Sequence, residues 1–371
     1  MNKLPKGKMS IVFGGQAGSE AKGKLSGWLT DRHSPYAIVM TASPNAGHTI
    51  IMPDGTKKVS YHLPIASVMS DAMIILTAAS LINFRTFEQE IVDLGINPAR
   101  ILIDPRASII HEYHIGKEER EGMSDIGSTL QGIGACRRSK MERQGRGHHT
   151  LAHHVSDMFD SLGVRVSETP AAVIINDLLL LGRTVLAEST QGFDLDLEHG
   201  IDSVYCTSKM INPSMIAAEA GVAPSMVGDV VAVIRPYPIR VNNRTGTSGP
   251  YAEAEEIDWP TVERRCNHPS SSAINHVANT PDRLVEITTT TKLPRRVFEF
   301  SWERYRHMIR VCRPTAICLQ FANYLDWSCY GIKEDKLPPK VNEFIADLDN
   351  VGPLVKYIGT GPGHFEMIER V

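Results

Sequence analysis

The stretch "SIVFGGQAGSEAKGKLSGWLTDR", Ser10 to Arg32, decides how the fold is read. Ser10–Phe13 is a short apolar run that stops at two glycines, the pattern of a strand buried on both faces. "KGKLSGWLTDR" then reads as a helix. Between the two, four residues separate Gly18 from Gly23, and Lys24 follows. This is the G-x-x-x-x-G-K spacing, in which backbone N–H groups cradle phosphates and a lysine reaches the terminal ones. The helix N-terminus behind the loop also favours an anion. Leu25, however, stands where such a loop carries a Ser or Thr hydroxyl for Mg2+. On spacing alone the loop is either a nucleotide site or a glycine turn that lets a strand enter a helix.

The same alternation continues outward. "AIVMTAS" (Ala37–Ser43), "AMIILTA" (Ala72–Ala78), "ILID" (Ile101–Asp104), "RTVLAE", "VVAVIRPYPIRV", "TAICLQF" and "LVKYIG" read as further buried strands, and "FRTFEQEIVDLG" (Phe84–Gly95) as an amphipathic helix closed by Gly95. Such a succession predicts an α/β fold with a large, mostly parallel central sheet and helices on both faces. No linker or repeat interrupts it, so residues 1–371 read as a single domain with loop excursions, and polar residues 240–256 as a mobile loop. The chain is 42% hydrophobic and 22% charged with a formal net charge of -3, which implies neither nucleic acid nor a membrane as partner. The six scattered cysteines form no C-x-x-C pair, and the N-terminal apolar run is too short for a signal peptide, so a cytoplasmic setting with reduced thiols is expected.

Three further clusters carry candidate chemistry. "SPNAGHT" (Ser43–Thr49) follows a predicted strand, which would set Asn45, Gly47, His48 and Thr49 at the sheet's carboxyl edge, where open α/β sheets bind ligands; a lone His is also a common core residue. "IGSTLQGIGACRRSKMER" offers Ser128, Thr129 and Arg143 to a second phosphate. "ITTTTKLPRR" (Ile287–Arg296) offers hydroxyls and a guanidinium fork to a small carboxylate, or is a Thr-rich edge strand. "HHTLAHH" (His148–His154) has His149 and His153 four apart but no intervening acid or nearby cysteine, so a solvated helix face is expected there rather than a metal site.

Taken together, these motifs resemble the adenylosuccinate synthetase family. Its opening G-x-Q-x-G-D-E-G-K-G-K stands here as Gly14, Gln16, Gly18, Ser19, Glu20, Ala21, Lys22, Gly23 and Lys24. N-A-G-H-T is intact at Asn45–Thr49, "GSTLQGIG" keeps part of a third motif, and Lys140 and Arg143 follow it. "ESTQG" retains Glu188, Gln191 and Gly192, Thr207 and Ser208 match a later pair, and "TTTKLPRR" matches the aspartate loop. The order holds from residue 10 to about residue 360.

The resemblance implies an ATP- or GTP-driven C–N ligase that phosphorylates the 6-oxygen of a purine nucleotide and then displaces phosphate with the amine of L-aspartate. Phosphorylation is needed because a ring carbonyl oxygen leaves poorly and phosphate leaves well. It implies that His48 steadies the 6-oxygen as general acid, and that Ser19 and the Gly47 carbonyl hold Mg2+. Gly18–Lys24, Gly47, His48 and Thr49 would take the triphosphate, with Gln320 and Asn323 at its base. Ser19, Asn45, Ser128, Thr129, Gln191, Thr207 and a partner subunit's Arg143 would take the purine nucleotide, which implies a homodimer. Thr289, Thr290, Thr291 and Arg295 would take aspartate.

Departures from the family pattern refine this. Ser19 replaces the aspartate that takes the N1 proton of hypoxanthine, a contribution of roughly 10²–10⁴-fold for a general base. Serine is smaller and uncharged, and leaves room for an amine at C2. Glu20, a water or the substrate's phosphoryl group are the candidates for accepting the N1 proton. Gln320–Asn323 replace the T-K-x-D that reads the guanine of GTP, which points to ATP or dATP as donor. Leu293 replaces an arginine near the ribose, which suits a 2′-deoxyribose. These changes resemble the family's phage branch, the 2-aminoadenylosuccinate synthetases, which use dGMP, aspartate and ATP to make a precursor of diaminopurine DNA. Rival expectations are a family enzyme using IMP and GTP, a catalytically silent nucleotide-binding relative, and a generic P-loop ATPase, whose motif Leu25 breaks.

Overall fold

The computed structural model describes residues 3–143, 150–242, 247–251, 253–269, 283–288, 292–334 and 336–370. Its centre is a ten-stranded sheet. In chain order the strands are β1 (Met9–Gly14), β2 (Ala37–Met40), β3 (Met73–Leu76), β4 (Ile101–Ile103), β5 (Arg165–Val166), β6 (Val185–Glu188), β7 (Val227–Ile234), β8 (Ala316–Leu319), β9 (Val355–Gly359) and β10 (Met367–Glu369). The spatial order is β5-β4-β3-β2-β6-β1-β7-β8-β9-β10. Every pairing is parallel except β9 with β10.

Strand β1 shows why the sheet is covered on both faces. All six of its residues are buried. Side chains alternate across a strand, so Ile11 and Phe13 enter one core and Val12 the other. The first core is closed by residues such as Ile175, Ala217, Met308 and Ile345, on the helices Ala171–Leu180, Pro213–Ala220, Trp302–Cys312 and Pro339–Val351. The second is closed by Leu25, Trp28 and Leu29 of α1 (Lys22–His33), spaced to lie on one helical face. Gly23 and Gly27 line α1 where it meets its neighbours: a Cβ at either would lie 2.4 Å from Ile65 or Ile50. Helix α2 (Phe84–Leu94) starts at Asn83, whose side chain accepts the Thr86 N–H at 3.2 Å, and stops at Gly95 in the left-handed region.

Two elements differ from the sequence reading. The run "VVAVIRPYPIRV" is not one strand: β7 ends at Ile234, and Ile239–Arg240 belongs to a separate three-stranded sheet. Pro236 and Pro238 have no N–H to give a ladder, and they fall at the break. His48–Ile51, which overlaps the polar cluster Ser43–Thr49 and is not among the expected strands, pairs antiparallel with Lys57–Ser60 as a hairpin. The 240–256 loop has residues 243–246 and 252 outside the described residues. All six cysteines are free, and among the described residues no helix is long and apolar enough to cross a membrane.

Trp28 anchors the smaller core, edge-on to Tyr357 with ring centroids 5.7 Å apart. Trp28→Ala is expected to cost about 4 kcal/mol, whereas Val92→Ala, on the solvent side of α2, should cost less than about 0.5 kcal/mol. Urea unfolding of the two variants beside the wild type measures the difference.

Candidate active site

The chain runs outward from β1 to one side of the sheet, returns through β6, and then runs outward to the other side. Loops leaving β1, β2, β6, β7, β8 and β9 therefore meet at one carboxyl edge, the position at which open α/β sheets form binding crevices. A cavity of about 470 Å³ opens there. Its walls bring together Gly18, Ser19, Ala21, Lys22, Gly23 and Lys24 from the glycine loop, and Asn45 to Ile51 from the second motif. Thr129, Gln191, Arg295 and Gln320 complete the predicted set on the wall, and Thr288, beside the expected threonines 289–291, lines it as well. Phe321, inside the Gln320–Asn323 stretch, lines it too, as do Lys57, Leu195, Ile239, Val241, Glu286 and Pro362, which no sequence motif had marked.

The glycine loop is organised from inside by Glu20. This fully buried carboxylate accepts the N–H groups of Gly18 at 2.7 Å and Gln16 at 3.2 Å, and pairs with Lys22 Nζ at 2.8 Å. It does not line the cavity, so it is placed neither to touch a triphosphate through its carboxylate nor to take a proton from a base there. The Gly18 N–H, expected to cradle phosphate, is already engaged. Ser19 and Ala21 both adopt left-handed backbone, with φ of 57° and 62°. Gly192 packs against the loop so closely that a Cβ would lie 2.1 Å from the Gln16 carbonyl. Lys24 Nζ donates to the carbonyls of Gly361 and Glu366, and burial lowers its pKa to about 8.

His48 is held by a residue 140 positions away. Its Nδ1 lies 2.7 Å from Glu188 Oε1, with both side chains buried. Glu188 also accepts the N–H groups of Ile65 at 3.3 Å and Ala66 at 3.2 Å. A carboxylate accepts only, so Nδ1 carries the hydrogen and Nε2 is the nitrogen left for a ligand.

At the opposite wall, Arg295 Nε lies 3.7 Å from Glu286 Oε2. Among the described lining residues Glu286 is the one carboxylate, and it is paired with the wholly buried Arg235. Burial works to raise the Glu286 pKa, but the Arg235 guanidinium outweighs it and holds Glu286 ionised. Ile287 pairs antiparallel with Pro294, the Thr288 N–H donates to Leu293 O at 2.8 Å, and the Leu293 N–H donates to Thr288 Oγ1 at 3.0 Å. Leu293 is bonded to Thr288 and does not line the cavity; Val241 does. Thr289, Thr290 and Thr291 lie outside the described residues.

Other predicted residues sit away from the wall. The Ser128 hydroxyl accepts the Leu130 N–H, Thr207 is buried with its N–H donating to Leu195 O, and Asn323 is buried. The helix Ile133–Glu142 does not offer its N-terminus to phosphate, because Glu118 already accepts from Gly132, Gly134 and Ala135. Arg143 is exposed at the end of that helix. Exposed His153 and His154 bond the backbone of Pro105 and Leu151, His148 and His149 lie outside the described residues, and no cluster of three or more metal-binding side chains occurs among the described ones.

Comparison with known proteins agrees with this geometry. The adenylosuccinate synthetase family profile matches residues 11–166 and 156–332. The N6-succino-2-amino-2'-deoxyadenylate synthase of Acinetobacter phage SH-Ab 15497 is 32% identical over 95% of this chain and 91% of its own. The adenylosuccinate synthetase of Pyrococcus horikoshii is 31% identical over 97% and 98%. Among solved structures, the cyanophage S-2L succinoaminodeoxyadenylate synthetase (PurZ), bound to dGMP and to dATP as an energy donor, superposes with a TM-score of 0.80 at 27% identity, covering 98% of this chain and 95% of that one. With the family profile matching most of its length and the fold superposing over 98% of it, the chain belongs to the adenylosuccinate synthetase family of ligases.

Proposed function

We propose that this enzyme joins L-aspartate to C6 of dGMP with ATP or dATP as donor, giving N6-succino-2-amino-2′-deoxyadenylate. The observation that carries this reading is Ser19 on the cavity wall: a short neutral side chain stands where the family's IMP-using enzymes carry an acid. The likeness to phage synthases and to a structure holding dGMP and dATP supports it. The rival reading, IMP with GTP, is favoured by the equally strong likeness to an archaeal adenylosuccinate synthetase, but it leaves both Ser19 and the Gln320–Asn323 sequence without a reason.

In the proposed reaction the 6-oxygen attacks the γ-phosphorus, the N1 proton is lost, and the nucleoside diphosphate leaves. The aspartate amine then adds at C6, phosphate departs, and the amine gives up its proton. With Glu20 engaged inside the loop, the N1 proton goes to water or to a phosphoryl oxygen. In its doubly protonated form His48 donates from Nε2 toward the 6-oxygen, while Glu188 fixes the ring through Nδ1 and offsets its positive charge. Lys22 and Lys24 meet the triphosphate, Gln191 and Asn45 the purine nucleotide, and Arg295 with the Thr289–Thr291 segment the aspartate carboxylates. The Ser19 hydroxyl and Gly47 carbonyl are hard oxygen donors of the kind Mg2+ takes, and they would help to hold it. Mg2+ held there would supply charge neutralisation for the phosphoryl transfer. Exposed Arg143 serves a partner's nucleotide in a homodimer.

Three outcomes are expected. Phosphate release with Mg2+, aspartate and ATP should be fast with dGMP and at least tenfold slower with IMP; Ser19→Asp should raise IMP use and lower dGMP use, and a variant that keeps the wild-type preference removes the size argument. Glu188→Gln keeps one acceptor oxygen, for His48 Nδ1 and the Ile65 N–H, but loses the acceptor for Ala66 and the charge opposite His48, so kcat should fall about 10²–10³-fold with only a modest drop in Tm. Burial leaves Lys24 charged below about pH 8 and neutral above it. Donor affinity should therefore weaken as pH rises through 8, by roughly tenfold per pH unit if this proton is required, and Lys24→Arg should flatten that slope in a KM–pH profile.

A further inference from the structure

We infer that Arg235 is a positioning residue that couples the donor end of the cavity to the aspartate end; this rests on the reading that both substrates share the cavity. Arg235 follows β7 directly, and its side chain is wholly buried. Its guanidinium meets three walls at once. Nη1 donates to Ser19 O at 3.1 Å and to Glu286 Oε2 at 3.1 Å, and Nη2 donates to Glu286 Oε1. The plane sits over the Phe321 ring, 4.1 Å from its centroid. Glu286 continues the connection to Arg295, through its side chain at 3.7 Å and through its carbonyl, which accepts the Arg295 N–H at 2.8 Å. Ser19, Glu286, Phe321 and Arg295 all line the cavity.

A buried ion pair is a poor way to stabilise a fold, because desolvation offsets its attraction. What this one provides is relative position. Gln16 pins the residue's backbone with two bonds, accepting its N–H at 2.9 Å and donating to its carbonyl at 3.0 Å, so the head cannot drift. Two of its contacts, Ser19 and Phe321, have left-handed backbone with φ of 57° and 59°, a conformation that persists where surroundings over-determine it. A planar group with five donors and a stacking face can serve all three walls; a lysine has neither the fork nor the face. Glu286 neutralises Arg235 and thereby leaves the Arg295 charge to a ligand. A donor base against Phe321 and a carboxylate at Arg295 thus bear on one rigid group. Ordering it for the first ligand lowers the cost for the second, which is positive coupling.

The test is calorimetric titration of aspartate into the full chain saturated with dGMP and Mg2+, with and without a non-hydrolysable ATP analogue. Wild type should bind aspartate about tenfold more tightly with the analogue present. Arg235→Lys should abolish this dependence and raise the KM of both aspartate and ATP, leaving that of dGMP within twofold. Should that variant fail to fold, Phe321→Leu removes only the stacking face and should also reduce the coupling. The inference is overturned if wild type turns over dGMP yet shows no coupling, or if Phe321→Leu weakens the analogue while aspartate affinity and coupling stay unchanged. A wild type that does not turn over dGMP overturns the reading of the site, and this inference with it.

Discussion

A strand buried on both faces constrains everything that follows it. The six residues of β1 are covered above and below, so the chain leaving Gly14 must satisfy its polar backbone before it can turn outward. The solution is internal: Gly15 donates to Val233 O, Gln16 brackets the backbone of Arg235, and Glu20 gathers the N–H groups of Gln16 and Gly18. The loop is thus built before any ligand arrives. Its lysines are held as well, Lys22 by Glu20 and Lys24 by two carbonyls. Preorganisation of this kind fixes where charge stands, which is the larger part of stabilising a phosphoryl transfer.

Much of the fold was legible because one physical rule generates it. Short apolar runs separated by amphipathic helices can be buried only in a parallel sheet covered twice, and β1 to β4, β6, β8 and β9 fall where that rule puts them. The rule says nothing of local exceptions. The His48–Ile51 hairpin lies inside a segment whose polar residues mask its pairing, and the prolines after Ile234 divide a run that composition alone reads as continuous.

The site was legible where its residues cluster in sequence and obscure where they do not. The glycine loop, Asn45–Thr49, Gln191 and Arg295 are local motifs, and all reach the same cavity. Glu188 was visible as part of a motif, but its hold on His48 spans 140 positions and has no spacing to announce it. Arg235 and Glu286 are 51 positions apart and belong to no pattern. Glu20 shows what a motif leaves out: its place in the loop is legible, but that its carboxylate faces inward to shape the loop is not.

The left-handed backbone at Ser19 bears on how specificity in this family changes. Its conformation is set by neighbours, through the carbonyl held by Arg235, and not by the side chain. Few residues tolerate that conformation, and aspartate is among those that do. Serine and aspartate can therefore exchange at this position over an unaltered main chain. On the proposed reading, a side chain mounted on a rigid bracket would set the preference for one purine over another, open to evolutionary change without rebuilding the machinery beneath it.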